Sequence, residues 1–534
     1  MARRRFSSLA CALALGMTVL GTSVGPITEL HISDSHISLD GYRRPAVVAS
    51  GTFPGPILKG NKGDQFVVTV VNHLTDPEML TDTTIHWHGI EQKGFNWADG
   101  PAFVTQCPIT TGDSFQYNFT VAHQAGTFWY HSHLATQSCD GLRGPFIVYD
   151  PHDPHKQLYD VDNDYTVITL AEWYHTLSRH QPIGTPPIPD ATVINGLGRY
   201  KGGPASDLSV IHVEYGKRYR MRLIAMSCDP TFMFSIDNHD MTIIEVEGTN
   251  VKPHTINQIQ ILPGQRYSFV LNAKQPIDNY WIRATPNLGN SGFEGGINSA
   301  ILRYRGARKA EPKSTQQRRW NLLRESDLRP LNPVPAPGKP RRGGADVSHY
   351  LAMSVDVEAL FYINNATFTP PNVPVLLQML SGARPAQDLL PHGSVIPLPR
   401  DAAVEVTLPG GLVAGPHPFH MHGHTFAVVR SAGSNTSNYD NPLWRDTVNI
   451  GGEGESVTIR FQTDNPGPWL FHCHIDWHLD LGLAVVFAED IRGTIQSTRP
   501  SEEWTTLCPK YNNVHNGKPL ERLKHAIVKL PDSP

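Results

Sequence analysis

Near its C-terminus the chain reads Pro468-Trp469-Leu470-Phe471-His472-Cys473-His474-Ile475-Asp476-Trp477-His478, with one thiol set between two imidazoles. On an extended strand successive side chains point to opposite faces, so His472 and His474 share one face and Cys473 looks out from the other. A thiolate suits a soft metal, whereas imidazole suits copper, zinc or iron. One strand can therefore present ligands to two metal sites and join them through a single residue's backbone, a short conductor for electrons. Alone, the tripeptide reads equally well as a buried cysteine beside two incidental histidines. Three further pairs, His86-Trp87-His88, His131-Ser132-His133 and His420-Met421-His422, tip that balance. Eight imidazoles are too many for one ion, so a cluster of several metals is expected. On the thiol side, His417 and His478 complete the two-His, one-Cys set of a blue-copper centre. The usual methionine is absent from the residues after His478, and Met421, between two cluster ligands, should face elsewhere. Leu483 is the expected axial neighbour, which implies a comparatively high copper potential.

These residues need strands to hold them. Short β-like runs recur at Gln65 to Val71, Gly144 to Tyr149, Tyr165 to Leu170, Tyr219 to Met226, Ala403 to Leu408 and Leu483 to Phe487, most of them bounded by Gly, Pro, Asn or Asp. One pattern occurs three times. A run opening at Gly112, Gly264 or Gly454 leads to an aromatic run ending in His131-Ser-His133, Arg283-Ala-Thr285 or His472-Cys-His474 respectively. Three related β-sandwich domains follow, the outer two carrying four His each and the middle one none. The middle domain reads as a spacer or as a wall of a substrate cleft. The expected limits are 24–154, 155–320 and 321–534, with the polar, Pro-rich run from Ala310 to Arg342 as a linker that packs in part along the surface.

The chain has 534 residues and a formal net charge of −4, so no basic field for nucleic acid is present. Arg3, Arg4 and Arg5 precede an apolar run from Leu9 to Leu20 and small residues after it, which reads as a secretory signal over 1–23. No other run is long enough to span a bilayer, and a secreted monomer is expected. With Cys11 in the signal and Cys473 in the site, Cys107, Cys139, Cys228 and Cys508 should form two disulfides, with three pairings open. Asn118, Asn365 and Asn435 open glycosylation triplets.

The segments His86-Trp-His-Gly89, Trp129-Tyr-His-Ser-His133, His417-Pro-Phe-His-Met-His-Gly-His424 and His472-Cys-His-Ile-Asp-Trp-His478, with Trp97-Ala-Asp-Gly-Pro101 and Ser227-Cys-Asp-Pro230, make the sequence resemble the blue multicopper oxidases, specifically the fungal laccases, over the whole mature chain. The resemblance implies three cupredoxin-like Greek-key domains and four coppers. By position, His417, Cys473 and His478 would hold type 1 copper, and His86 and His420 type 2. His88, His131, His133, His422, His472 and His474 would hold the type 3 pair. It further implies disulfides Cys107–Cys508 and Cys139–Cys228, a non-ligand role for His424, and His478 as an exposed ligand where electrons enter. Asp99 and Asp476 match positions linked to oxygen and protons. Asp229 matches a carboxylate that accepts the phenolic hydrogen bond. The implied reaction is one-electron oxidation of phenols, as in lignin breakdown, coupled to four-electron reduction of dioxygen to water. The alternatives are an oxidase of ferrous or cuprous ions, for which Asp480 is the one nearby acid, and a copper-storage or electron-carrier protein, against which the complete cluster set argues.

Overall fold

The computed structural model describes residues 23–182, 185–382, 393–412 and 415–516, so all but the last residue of the expected signal lies outside it. Strands dominate, and their alternation explains how they pack. Gln65–Asn72, for example, buries every second side chain, which suits one face of a two-layer core. In the first repeat, the sheet of Arg44–Ala49, Ile27–Ile37, Gln65–Asn72 and Ser114–Thr120 shares one core with the sheet of Leu58–Asn61, Arg143–Tyr149, Gly126–Ser132 and Ile85–His88. A seven-stranded and a five-stranded sheet form the middle repeat, and two five-stranded sheets with a small two-stranded one form the third.

The threefold pattern in the sequence corresponds to one position in these sheets. Gly126–Ser132, Asn279–Pro286 and Gly467–Cys473 each lie between an earlier and a later antiparallel strand of their own repeat. In the outer repeats the earlier strand carries a His-X-His pair, Ile85–His88 or Pro418–Met421 with His422 just beyond it. The middle repeat has Phe232–Ile236 there.

Two expected strands begin later than read. Val167–Trp173 starts after a 3-10 turn, Asp164–Thr166, which the Asn163 side chain caps, and the last strand is Ala484–Glu489, leaving Leu483 in the turn before it. A short helix, Asp476–Asp480, follows Cys473 and swings His478 back towards it. The helix Glu502–His515 was not anticipated. Its start is specified by Ser501, which accepts from the Trp504 N–H, and by Glu502 and Glu503 in the first turn. Between Tyr304 and Val347 the chain crosses the surface without forming a strand. It makes bridges to the middle repeat at Leu322 and Pro330, and receives side-chain hydrogen bonds from Trp444 and Arg460 of the third at Val334 and Pro337.

Candidate metal centre

Eight imidazoles from the first and third repeats meet between those domains. Register explains the convergence: His86 lies opposite His131, and His420 opposite His472. Across the interface His86 stacks on His422 at 3.9 Å and His88 on His420 at 3.8 Å between ring centres. His422 Nε2 faces His472 Nε2 at 3.1 Å, and His474 Nε2 faces His88 Nδ1 at 3.0 Å. His131 and His133 close the group against His474 and His472, each at 5.3 Å.

Hydrogen bonding fixes which nitrogens are bare. Nδ1 of His86, His131, His420 and His472 reaches a backbone carbonyl, that of Asp99, Ser132, Asp446 and Cys473, at 2.8, 2.8, 3.0 and 2.9 Å. A carbonyl only accepts, so each Nδ1 carries the hydrogen and each Nε2 is left as a lone pair. The buried Nε2 atoms of His86, His131, His133 and His420 have no hydrogen-bond partner. Each buried, unsatisfied acceptor costs about 1–3 kcal/mol, a cost that a bound cation removes. Burial first, and neighbouring imidazoles second, push His88, His131, His133, His422, His472 and His474 well below the ordinary histidine range, into the neutral form that ligates metal. Several triads of these residues bring donor atoms close enough to share one ion.

Two aspartates tie the set across the interface in reciprocal fashion. The Asp99 carbonyl accepts from His86 of its own domain, and its Oδ2 accepts from His422 Nδ1 of the third domain at 2.8 Å. The Asp446 carbonyl accepts from His420 of its own domain, and its Oδ1 accepts from His88 Nε2 of the first at 3.2 Å. The sequence reading found Asp99 and missed Asp446. A signal was present: Trp97-Ala-Asp99 and Trp444-Arg-Asp446 share a Trp-X-Asp spacing after the two upstream His pairs.

On the other face, Cys473 Sγ lies 3.6 Å from His417 Nδ1 and 3.7 Å from His478 Nδ1, which are 3.2 Å from each other. Burial pushes the thiol up, so a cation is needed to hold it as thiolate at neutral pH. Leu483 is fully buried in the same apolar core and its carbonyl accepts from the Cys473 N–H at 3.1 Å. His478 corrects an expectation: rather than exposed it is 5 % accessible, because its helix turns it inward and the Phe361 ring covers it at 4.7 Å. His417 and Cys473 are wholly buried, so His478 is the most accessible member of the set.

Asp229 is 7 % accessible, and burial, then Glu172 and Asp476, push its carboxyl up to about 7. Asp476 is likewise pushed up to about 7, chiefly by burial; it accepts from Ser138 Oγ and rests against Cys228 and Cys139 Sγ at 3.2 and 3.4 Å. Cys139 and Cys228 form a disulfide that joins the first repeat to the middle one, and Cys107–Cys508 joins the first to the C-terminal helix. His424 stands apart from the cluster, its Nε2 bonded to Glu489 at 2.7 Å.

Comparison with known proteins agrees with this geometry. Multicopper oxidase family models match residues 31–153, 164–307 and 368–493. A laccase of Phlebia radiata is 58 % identical over 92 % of this chain and 95 % of its own, and one of Trametes hirsuta is 57 % identical over 95 % and 98 %. Among solved structures, the laccase of Botrytis aclada superposes with a TM-score of 0.78 at 30 % identity, covering 93 % of each chain. Fet3p, described as a multicopper oxidase that functions in iron import, superposes at 0.79 with 28 % identity over 92 % and 95 %. The fold is thus three cupredoxin-like domains, the cofactor is four coppers per chain, and the chain belongs to the multicopper oxidases, among the fungal laccases.

Proposed function

We propose that the chain takes electrons one at a time from phenols at the His417, Cys473 and His478 set and delivers them to dioxygen at the eight-histidine set. In this assignment His417, Cys473 and His478 hold type 1 copper and His86 and His420 type 2. His88, His131, His133, His422, His472 and His474 hold the type 3 pair. Copper, when bound, supplies the one-electron couple and the place where dioxygen is reduced to two waters. The observation that carries the reading is that Cys473 is covalently flanked by His472, whose Nε2 faces His422 of the same domain, and His474, whose Nε2 faces His88 across the interface. The thiol set and the imidazole set therefore share a backbone.

The chain's own groups account for the remaining needs. Asp229 accepts the hydrogen bond of the phenolic hydroxyl, which favours loss of the proton as the electron leaves. Asp99 Oδ1 is buried and without a hydrogen-bond partner, 3.3 Å from His86 Nδ1, where it can hold a proton beside the cluster. Asp476 braces the His478 helix on the Cys139–Cys228 bridge. We place the domain limits near residues 154 and 320, and we read the chain as secreted and monomeric. Its two disulfides fit an oxidising compartment. Asn365 and Asn435 are exposed and suited to glycans, whereas Asn118 sits half-buried on a strand with its amide oxygen accepting from Gln65. No helix among the described residues is long and apolar enough to cross a membrane.

Oxygen uptake by the copper-loaded protein with a methoxyphenol, ferrous ion and ascorbate side by side tests the reading. Fast uptake with the phenol, four donors consumed per dioxygen and no peroxide is the expected result. Preference for ferrous ion would replace phenol as the substrate, and no uptake at full copper loading would leave only storage.

A further inference from the structure

The middle repeat supplies no ligand in the assignment above, yet it reaches the cluster. Its turn Gly264-Gln265-Arg266 lies against His88 and His474. A Cβ on Gly264 would stand 2.9 Å from His88 Cε1 and 3.1 Å from His474 Cδ2, so only glycine, here at φ +84°, lets the backbone approach. Arg266 is fully buried and grips the Asp446 carboxylate with both terminal nitrogens, Nη1 to Oδ1 at 2.7 Å and Nη2 to Oδ2 at 2.6 Å. Its remaining hydrogen bonds go to the carbonyls of Gly264 and Thr127. Glycine makes room on the far side too: a side chain at Gly89, directly after His88, would collide with Arg266 Nη2 and Asp446 Oδ2. Glu247, also of the middle repeat, accepts from the backbone N–H groups of Asp446 and Thr447 at 2.9 and 3.0 Å and pairs with Arg445.

We propose that Arg266 is a positioning residue for the histidine cluster: by clamping Asp446 it holds His88 with Nε2 as donor and Nδ1 turned to the metal side, facing His474. The two reciprocal aspartates differ on this point. Asp99 keeps one carboxylate oxygen without a hydrogen-bond partner, whereas both oxygens of Asp446 are taken by the planar fork of an arginine. A lysine offers a point charge and cannot reproduce that fork. The ligand-free domain thus sets the orientation of a ligand in the first domain through an aspartate in the third. This role rests on the ligand assignment of the preceding subsection.

Arg266→Gln and Arg266→Lys, purified alongside the parent, test it through copper content per chain, chelator competition, the blue thiolate-to-copper absorption and the paramagnetic signal of type 2 copper. Loss of a partner that orients a ligand typically weakens metal affinity roughly 10- to 100-fold. The expected result is that loss for cluster copper in Arg266→Gln, a smaller loss in Arg266→Lys, an altered type 2 signal, and an unchanged blue band in both. Asp446→Asn combined with Arg266→Gln should lose less than the sum of the single losses, since one acts through the other. Gly264→Ala should perturb the cluster signals while sparing the blue band. Parent-like affinity and signals in Arg266→Gln would overturn the proposal, as would parallel loss of the blue band, which would mark Arg266 as a general support of the fold. A parent that fails to hold four coppers would overturn the ligand assignment and this role with it.

Discussion

At one strand position the three repeats carry different residues. His131 lies opposite His86 in the first and His472 opposite His420 in the third, whereas in the middle repeat Arg283 lies opposite Ser235. Arg283 is not left open. Its Nε and Nη2 meet the two oxygens of buried Asp237 at 2.9 and 2.8 Å, and Ser314 adds a further hydrogen bond to that carboxylate. At this position the middle repeat pairs its buried arginine from within, and the outer repeats turn their histidines towards a space that a cation completes. Metal dependence is therefore a property of a position in the sheet, and it should be confined to the repeats that left that position unsatisfied.

Copper removal probes the contrast most strongly. A ligand that binds only the folded state stabilises it by mass action, so chelation should abolish oxygen uptake and lower the melting temperature. Amide exchange should rise in the strands Gly126–Ser132 and Gly467–Cys473 while Asn279–Pro286 keeps its protection. Equal loosening of all three strands would break the comparison. The converse experiment is Arg283→Met. It strands Asp237 as a buried charge, which costs about 3–5 kcal/mol, and should lower the denaturant midpoint with the full copper complement retained. Copper loss in that variant would mean that the middle repeat is not self-sufficient.

The contact between the first and middle repeats extends the same logic to pH. Glu245 accepts from the Thr127 N–H at 3.1 Å and from Ser268 Oγ, and pairs with Arg220 at 2.9 Å. Burial acts to raise its carboxyl, but Arg220 and Arg222 outweigh that and hold it at about 2, below its ordinary 4.5. Its stabilising contribution is therefore fully present above pH 4.5 and is lost as pH falls towards 2. By linkage it amounts to roughly 3 kcal/mol. Glu245→Gln should cost about that much near neutrality and little near pH 2, as read from urea midpoints at several pH values. A pH-independent difference would show that Glu245 acts by packing alone.

Much of this was legible in the chain because it is local. A His-X-His pair on a strand, an aromatic run before it and a Cys between two His are short-range patterns, and period two in a strand converts them directly into shared faces. What the sequence hid acts across distance. Arg266 and Asp446 are 180 residues apart, and nothing in either neighbourhood announces the other. Asp446 itself was half legible, through the Trp-X-Asp spacing it shares with Asp99. The reading of the middle repeat as a spacer followed from its lack of ligands; contact between its Gly264 turn and His88 appears only in three dimensions. His478 was expected to be exposed from the resemblance alone, but the short helix that carries it and the Phe361 ring cover it.

The mildest test separates the third repeat from the first. Ser132 occupies in the first the place that Cys473 holds in the third, and its hydroxyl donates to Gln137 Oε1 at 2.6 Å within a polar group that includes Thr83. Cys473 instead lies in an apolar core with Phe419, Ile475 and Leu483. With leucine beside it, the thiolate set has no fourth donor from that direction. Leu483→Met conserves volume, a swap that usually costs less than about 1.5 kcal/mol, so the fold and the eight-histidine set should be untouched. The thioether would favour the more positive, oxidised copper, and the type 1 potential should fall. Phenols that are hard to oxidise should then slow several-fold, while easily oxidised donors change little. A redox titration of the blue band decides the matter: an unchanged potential would remove Leu483 from the axial position and leave the apolar setting of Cys473 without its assigned consequence.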